Sequence, residues 1–164
     1  MVTRRRGYSR PPLTPLTFGG GQERGLRPGT LPVALIVALG RAAELALRDV
    51  EKRNARCQKI NEQAMAAFRE VGGVATGDQS RAVPSTLNMA IPGLDSEAVM
   101  VALKDIVAIS NGSACTSQSY TASHVLTAMG LPEDRIKGAL RLSWCHLTPD
   151  VPWEAVISRI KALA

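Results

Sequence analysis

The chain has 164 residues, of which 45% are hydrophobic and 21% charged, and its formal net charge is +6; this composition indicates a globular domain with a core and excludes a disordered chain. The longest apolar run, residues 31–39, is too short to cross a bilayer and is followed by Arg41 and Glu44, so no membrane span is expected. The three cysteines, at positions 57, 115 and 145, have no paired spacing and no CxxC, which argues against a disulfide framework and a metal site and favours a reducing, cytoplasmic environment.

The first predicted elements are short and irregular. Four arginines lie within the first ten residues, and a basic end of this kind can contact nucleic acid, although it is more often only solvated. Aromatic residues make up 4% of the chain, too few for a base-stacking platform, so direct nucleic-acid binding is not expected. A short strand is predicted over residues 16–18, and the glycine-rich residues 19–25 predict a loop with unusual backbone freedom.

A long helix is predicted from about Pro32, which suits a first helical turn, to about residue 71, where two glycines end it. Its first half is apolar on most sides, whereas its second half is amphipathic. The apolar face of the second half consists of Ile60, Ala64, Ala67, Phe68 and Val71. A helix that changes character in this way often connects two structural units, so we predict a division into residues 1–50 and residues 51–164.

The remainder of the chain alternates between strand and helix patterns. Strands are predicted over residues 85–91, 106–109 and 140–144, and helices over residues 95–104, with Asp95 as the cap, 122–129, a short stretch from residue 132, and 152–163. The residues between the second strand and the second helix, 111–120, form a polar loop. This alternation predicts a small α/β layer structure.

Cys115 is the candidate nucleophile. It lies in the loop sequence Ser-Asn-Gly-Ser-Ala-Cys-Thr-Ser, which is too polar and glycine-rich to be a core position, and a nucleophilic cysteine needs access to its substrate. The alternative, a buried inert thiol, is the usual state of a free cysteine. Cys57 lies on a helix among basic residues and is expected to be a partly exposed bystander, and Cys145 is expected to end a strand and to be structural.

Two further sites can bind anions. Arg141 lies between two leucines on a predicted strand, so its guanidinium points away from them and can hold a carboxylate with two hydrogen bonds. An internal salt bridge is an equal alternative. The segment before the long helix, residues 25–30, offers backbone N–H groups and the Thr30 hydroxyl to a phosphate. The glycine run is neither a Walker A loop nor a placed GxGxxG.

Together these segments resemble the class V aminotransferase-like cysteine desulfurases. Residues 19–32, GGGQERGLRPGTLP, resemble the family's GGG-x-E-R-G-x-R-x-GT-x-P motif. Residues 112–115, GSAC, resemble the active-site loop of the branch with SGSAC in a long loop, and Arg141-Leu142-Ser143 resembles the R-x-S strand. Residues 18–22, FGGGQ, and residues 117–120, SQSY, are also similar to desulfurases that serve DNA phosphorothioation. The resemblance covers nearly everything after residue 17.

The resemblance implies a fold, a reaction and residue roles. The fold is the C-terminal portion of a fold-type I transferase dependent on pyridoxal 5'-phosphate, in which residues 1–50 are a remnant of the large cofactor-binding domain. Cys115 would take sulfur from L-cysteine as a persulfide and leave L-alanine. Arg141 would hold the substrate carboxylate, and Thr30 would contact the cofactor phosphate across a homodimer interface. The persulfide would pass to an acceptor protein in iron-sulfur cluster assembly, thio-modification or DNA phosphorothioation.

Two departures from the family pattern bear on activity. Asn111 stands where the branch commonly has serine. None of the five lysines has the Ser-x-His-Lys context of the Schiff-base lysine, which the resemblance places upstream of this chain together with the aspartate that pairs with the cofactor ring. The chain is therefore expected to be a fragment, a truncated product or half of a split enzyme. The alternatives are a cofactor-free sulfur carrier or interaction module and a nucleic-acid-binding module, the latter supported only by the basic first ten residues and the net charge.

Overall fold

The structure is a computed structural model, which describes Gly7, residues 12–111 and residues 123–163. The chain divides into two compact units, residues 1–48 and residues 49–164. In chain order the helices and strands are α1 (Val33–Arg69), β1 (Val74–Ala75), β2 (Thr86–Ala90), α2 (Ser96–Leu103), α3 (His124–Ala128), α4 (Glu133–Lys137), β3 (Ala139–Ser143) and α5 (Trp153–Lys161). The unit boundary therefore falls inside α1.

The described part of residues 1–48 consists of an irregular segment, a 3-10 turn over Gln22–Gly25 and the first half of α1. None of these residues is buried within the structure. The strand predicted over residues 16–18 is wrong, because residues 16 and 17 form a bend and Phe18 belongs to no strand, and Leu16 and Phe18 are 96% and 83% exposed. A three-residue stretch with two apolar side chains has no partner strand here to fix its register, and its hydrophobicity does not create one.

Residues 49–164 contain a three-stranded antiparallel sheet in the order β1-β2-β3. Leu87 pairs with Leu142 and Met89 pairs with Leu140, so one face of the sheet is apolar. The core combines this face with buried residues of the second half of α1 and of α2 and α5. Its largest members are Phe68, Ile60, Leu87, Met89, Leu103, Leu140 and Ile160.

Local sequence signals explain where these helices begin and end. The side chain of Asp95 accepts hydrogen bonds from the backbone N–H groups of Glu97 and Ala98 at 2.9 and 3.1 Å, which confirms the predicted cap of α2. After α1, Gly72 takes a φ of 74° and the Gly73 N–H donates to the Phe68 carbonyl at 2.8 Å. This geometry favours glycine and ends the helix.

The strand predicted over residues 106–109 is wrong. Ile106, Val107 and Ile109 pack against the core, but this stretch makes no strand pairing, and only the following residue, Ser110, forms an isolated bridge. The run is apolar because it packs against the core from one side, which periodicity does not distinguish from a strand. By contrast, β1 was not predicted, since two residues are too few to show an alternation.

Candidate active site

Arg141 lies on the side of β3 that faces away from the core. Its neighbours Leu140 and Leu142 are 0% and 5% exposed, whereas Arg141 itself is exposed. Successive side chains of a strand point to opposite faces, so the orientation expected from the sequence is confirmed. A guanidinium is a side chain that can hold a carboxylate with two hydrogen bonds.

The backbone of Arg141 pairs with Ser110, the residue at which the predicted cysteine loop begins. The Arg141 N–H donates to the Ser110 carbonyl, and the Ser110 N–H donates to the Arg141 carbonyl at 3.1 Å. Ser110 is thus held against β3, on the side opposite to β2. The next residue, Asn111, belongs to no strand and is the last described residue before the gap. Cys115 lies outside the described residues.

On the β2 side of β3, the residue that pairs with Arg141 is Asn88. Directly paired residues of an antiparallel sheet share one face, so Asn88 and Arg141 both lie away from the core. Their side chains and that of Ser110 form a row across the sheet, which we call the polar row. Sequence reasoning did not find Asn88, because alternation indicates its face but not its partner.

Thr30 belongs to the other unit, where the glycine-rich segment folds on itself. The side chain of Gln22 accepts a hydrogen bond from the Gly29 N–H at 3.0 Å, and Arg27 donates to the carbonyls of Gly29 and Thr30 at 3.1 Å each. Thr30 is exposed, and its hydroxyl makes no hydrogen bond to the described residues. A hydroxyl beside a guanidinium is a donor set that fits a phosphate.

The predicted site residues therefore stand in three different positions. The structure brings Arg141 together with Ser110 and Asn88 within residues 49–164, Thr30 lies in residues 1–48, and Cys115 falls outside the described ranges. The same ranges contain no group of three or more His, Cys, Asp or Glu side chains suited to a metal ion. No helix within them is long and apolar enough to cross a bilayer.

Cys57 is buried, so the expectation of a partly exposed bystander is wrong. Its side chain is 6% exposed and belongs to the apolar face of α1. The neighbouring arginines point to other partners, Arg53 to Asp49 at 3.4 Å and Arg56 to Asp150 at 3.0 Å. The spacing of three residues from Cys57 to Ile60 is the signal in the sequence that places this thiol in the core.

Cys145 is exposed and lies two residues beyond the end of β3, so the expectation of a structural cysteine at the strand end is wrong. Its sulfur accepts a hydrogen bond from the Leu147 N–H at 3.4 Å and a longer one from the Thr148 hydroxyl at 3.9 Å. The Leu147 N–H, more than the Thr148 hydroxyl, holds the pKa of Cys145 below its usual value. This thiol is accessible to reagents.

Comparison with known proteins identifies the family of this chain. Residues 12–150 match the Aminotransferase class-V family. The chain belongs to this family. Among curated relatives, the Cysteine desulfurase IscS of Rickettsia bellii (strain OSU 85-389) is 40% identical over 140 residues, which cover 84% of this chain and 34% of that protein. The chain thus spans about a third of the length of the curated relatives it matches.

Solved structures of this family show the same fold. DndA from Streptomyces lividans is 46% identical with a TM-score of 0.67, and the match covers 88% of this chain and 41% of that one. SspA in complex with cysteine is 35% identical with a TM-score of 0.54, over 80% of this chain and 35% of that one. The expected α/β portion of a class V transferase and the resemblance to cysteine desulfurases are confirmed.

Proposed function

We propose that this chain is the C-terminal part of a pyridoxal-phosphate-dependent cysteine desulfurase, in which Cys115 accepts sulfur and Arg141 binds the substrate carboxylate. The observation that carries the proposal is the backbone pairing of Ser110 with Arg141. Cys115 is five residues after Ser110, and five residues of extended chain reach at most about 18 Å. The nucleophile is therefore tethered to the strand that would hold the substrate.

The proposed reaction transfers one sulfur atom to Cys115. Its thiolate attacks the sulfur of L-cysteine, because the thiolate and not the thiol is the nucleophile. A sulfur–sulfur bond forms, and the carbon–sulfur bond of the substrate breaks with its electron pair remaining on carbon. The proton of the substrate thiol ends on that carbon, which gives L-alanine, while Cys115 keeps the second sulfur as a persulfide. No external oxidant or reductant is required.

The cofactor would be held from residues 1–48. The Thr30 hydroxyl, with the Arg27 guanidinium beside it, is the donor set that would bind the phosphate. When bound, pyridoxal phosphate supplies an electron sink for the negative charge on the substrate carbon. The chain's own contribution is to bind the phosphate, to orient the substrate carboxylate at Arg141 and to present the Cys115 thiolate.

We also propose the partners that this chemistry requires. An acceptor protein with a thiolate attacks the outer sulfur of the persulfide, takes that sulfur and releases the Cys115 thiolate. The complete protein is expected to act as a homodimer, since the family resemblance has Thr30 contact the phosphate across a dimer interface.

A sulfur carrier without desulfurase activity is the second candidate. It is favoured by the lysines, none of which stands in a Ser-x-His-Lys context. In addition, Lys137 pairs with Glu133 at 2.8 Å and Lys161 with Glu70 at 3.9 Å. Visible absorbance separates the candidates when it is measured, after free pyridoxal phosphate has been removed, on a protein that joins this chain to the family's Ser-x-His-Lys segment, because only a desulfurase then keeps a yellow band.

The desulfurase proposal is tested by alanine and sulfide release from L-cysteine in the cofactor-loaded protein, meaning the complete protein that includes the Schiff-base lysine which the resemblance places upstream of this chain. We expect Cys115→Ser to abolish sulfide release, because a hydroxyl is a far poorer nucleophile toward sulfur, while Cys145→Ser, the matched control, retains it. Arg141→Ala should raise the KM for cysteine by roughly tenfold or more, the loss of one charged hydrogen-bonded contact. Arg159→Ala, the matched control, removes an equal charge, which is paired with Asp105 at 3.4 Å. It should leave the KM for cysteine unchanged. Normal turnover by Cys115→Ser would exclude Cys115 as the nucleophile.

A further inference from the structure

Asn88 has a buried side-chain oxygen that lacks a hydrogen-bond partner within the described part of the chain. Buried polar atoms in native proteins almost always have a partner, so an exception calls for an explanation. The Asn88 backbone is accounted for, since its carbonyl accepts from the Thr76 N–H at 2.9 Å. The side-chain oxygen is thus available to a donor that approaches from the same face of the sheet.

The hydrogen-bond pattern shows how close Asn88 and Arg141 stand. The Asn88 carbonyl points toward β1, where Thr76 donates to it, and the backbone groups of Arg141 point the other way, toward Ser110. Asn88 and Arg141 are therefore a pair that exchanges no backbone hydrogen bonds. In antiparallel sheets such pairs have the closest side chains, with Cα atoms about 4.5 Å apart.

The chemistry of the two side chains is complementary. A guanidinium has five N–H donors in a fixed plane, and a carboxylate held by two hydrogen bonds occupies only two of them. The side-chain oxygen of an asparagine can accept a hydrogen bond from one of the remaining N–H groups of the guanidinium. Because it is neutral, it fixes the orientation of the plane without cancelling the positive charge that attracts the ligand.

We propose that Asn88 is a positioning residue whose side-chain oxygen accepts a hydrogen bond from the Arg141 guanidinium when Arg141 holds the carboxylate of the amino-acid substrate. The inference rests on the proposed function, because it requires Arg141 to bind a carboxylate. Binding would then give the Asn88 oxygen its partner and lock the plane of the guanidinium. The polar row is in this way a preorganised carboxylate site and not only a sheet surface.

Four forms of the protein test the inference: the unmodified chain, Asn88→Leu, Asn88→Asp and Thr76→Val. Thr76 is the matched control, because its buried hydroxyl oxygen also lacks a partner among the described residues, but it lies one strand further from Arg141. The first measurement is the dissociation constant of L-alanine, obtained from its protection of Arg141 against phenylglyoxal by peptide mapping. It requires no cofactor and no turnover. The second is KM and kcat for L-cysteine in the cofactor-loaded protein.

We expect Asn88→Leu to raise the dissociation constant of L-alanine and the KM for L-cysteine by about tenfold, with kcat changed by less than about twofold. Asn88→Asp should raise both further, because its negative charge competes with the carboxylate for Arg141. Thr76→Val should match the unmodified protein. A thermal melt of each form identifies any variant that does not fold. If Asn88→Leu does not fold, the test is made with Asn88→Asp, which keeps the size of the side chain.

An unchanged dissociation constant in Asn88→Leu, or in Asn88→Asp if only that variant folds, overturns the inference while L-alanine still protects Arg141 in the unmodified chain. A lower melting temperature without a change in binding does the same, since it shows a purely structural role. If L-alanine fails to protect Arg141 in the unmodified chain, the carboxylate role of Arg141 under the proposed function is wrong, and the inference falls with it.

Discussion

The two halves of α1 differ in whether their apolar side chains are buried. In residues 1–48, Leu35 and Leu39 are 70% and 72% exposed, whereas in residues 49–164, Ile60 and Phe68 are 1% and 0% exposed. One continuous helix thus has one half stabilised by a core and one half whose apolar surface is left uncovered in this structure. Large uncovered apolar surfaces mark interaction sites, so we expect the first half of α1 to contact another protein surface.

The candidate chemistry divides along the same line. The polar row, which holds Arg141, stands on a sheet whose other face is the core, and a rigid sheet keeps such side chains in fixed positions. The Thr30 segment instead folds on itself through bonds from Gln22 and Arg27. The proposed carboxylate site at Arg141 is therefore supported by a packed core, whereas the described part of the Thr30 segment is supported by local hydrogen bonds.

The largest expected effect is on stability and separates the two halves of the helix. Ile60→Ala should lower the free energy of unfolding by about 2–5 kcal/mol, because it removes a buried side chain and leaves a cavity. Leu39→Ala, the matched control on the same helix, should change it by less than about 0.5 kcal/mol, since the side chain is exposed. Urea unfolding followed by circular dichroism measures both. Equal losses would show that Leu39 is buried in solution.

The second effect is on association. We expect the unmodified chain to self-associate, because the exposed apolar residues of the first half of α1 can bury about 25 cal/mol per Å² against a second copy. A double variant, Leu35→Glu with Leu39→Glu, should remain monomeric in light scattering at the same concentration. Val101→Glu, at an exposed apolar position in residues 49–164, is the control and should associate like the unmodified chain. A monomeric unmodified chain would contradict the expectation.

The smallest effect concerns the two described cysteines. Cys145 should be alkylated by iodoacetamide in the folded protein, whereas Cys57, which is buried, should not be. Because the lowered pKa of Cys145 makes its thiolate form earlier as pH rises, its alkylation rate should reach half its maximum at a lower pH than in the denatured protein. Coincident pH profiles in the folded and denatured states would show that the Leu147 N–H does not stabilise this thiolate.

Much of the fold follows from local sequence signals. The long helix, β2, the Asp95 cap, β3 and the closing helix were all predicted to within a few residues, because each has a clear period, cap or glycine stop. The errors fall on short apolar stretches. Residues 16–18 and 106–109 carry the composition of strands, but a strand also needs a partner, and local composition does not specify one.

The site was predicted less completely for the same reason. The face of Arg141 follows from the alternation along β3, and the role proposed for it rests on the family resemblance. Its pairing with Ser110 and Asn88 depends on strand register with two segments that both precede it by more than 20 residues, and the sequence does not show that register. The burial of Cys57 was available in the helical spacing to Ile60, but the charges nearby obscured it.

The central claim is that Cys115 is the thiol that receives sulfur, and the most direct test is to find the sulfur. The cofactor-loaded protein is treated with L-cysteine, its thiols and persulfides are alkylated with iodoacetamide, and the protein is digested. The masses of the three cysteine-containing peptides are then measured by mass spectrometry. We predict the mass of one added sulfur atom on the peptide that contains Cys115 and on no other, and its loss when an acceptor thiol is added. Added sulfur on Cys145 or Cys57, with none on Cys115, would contradict the account.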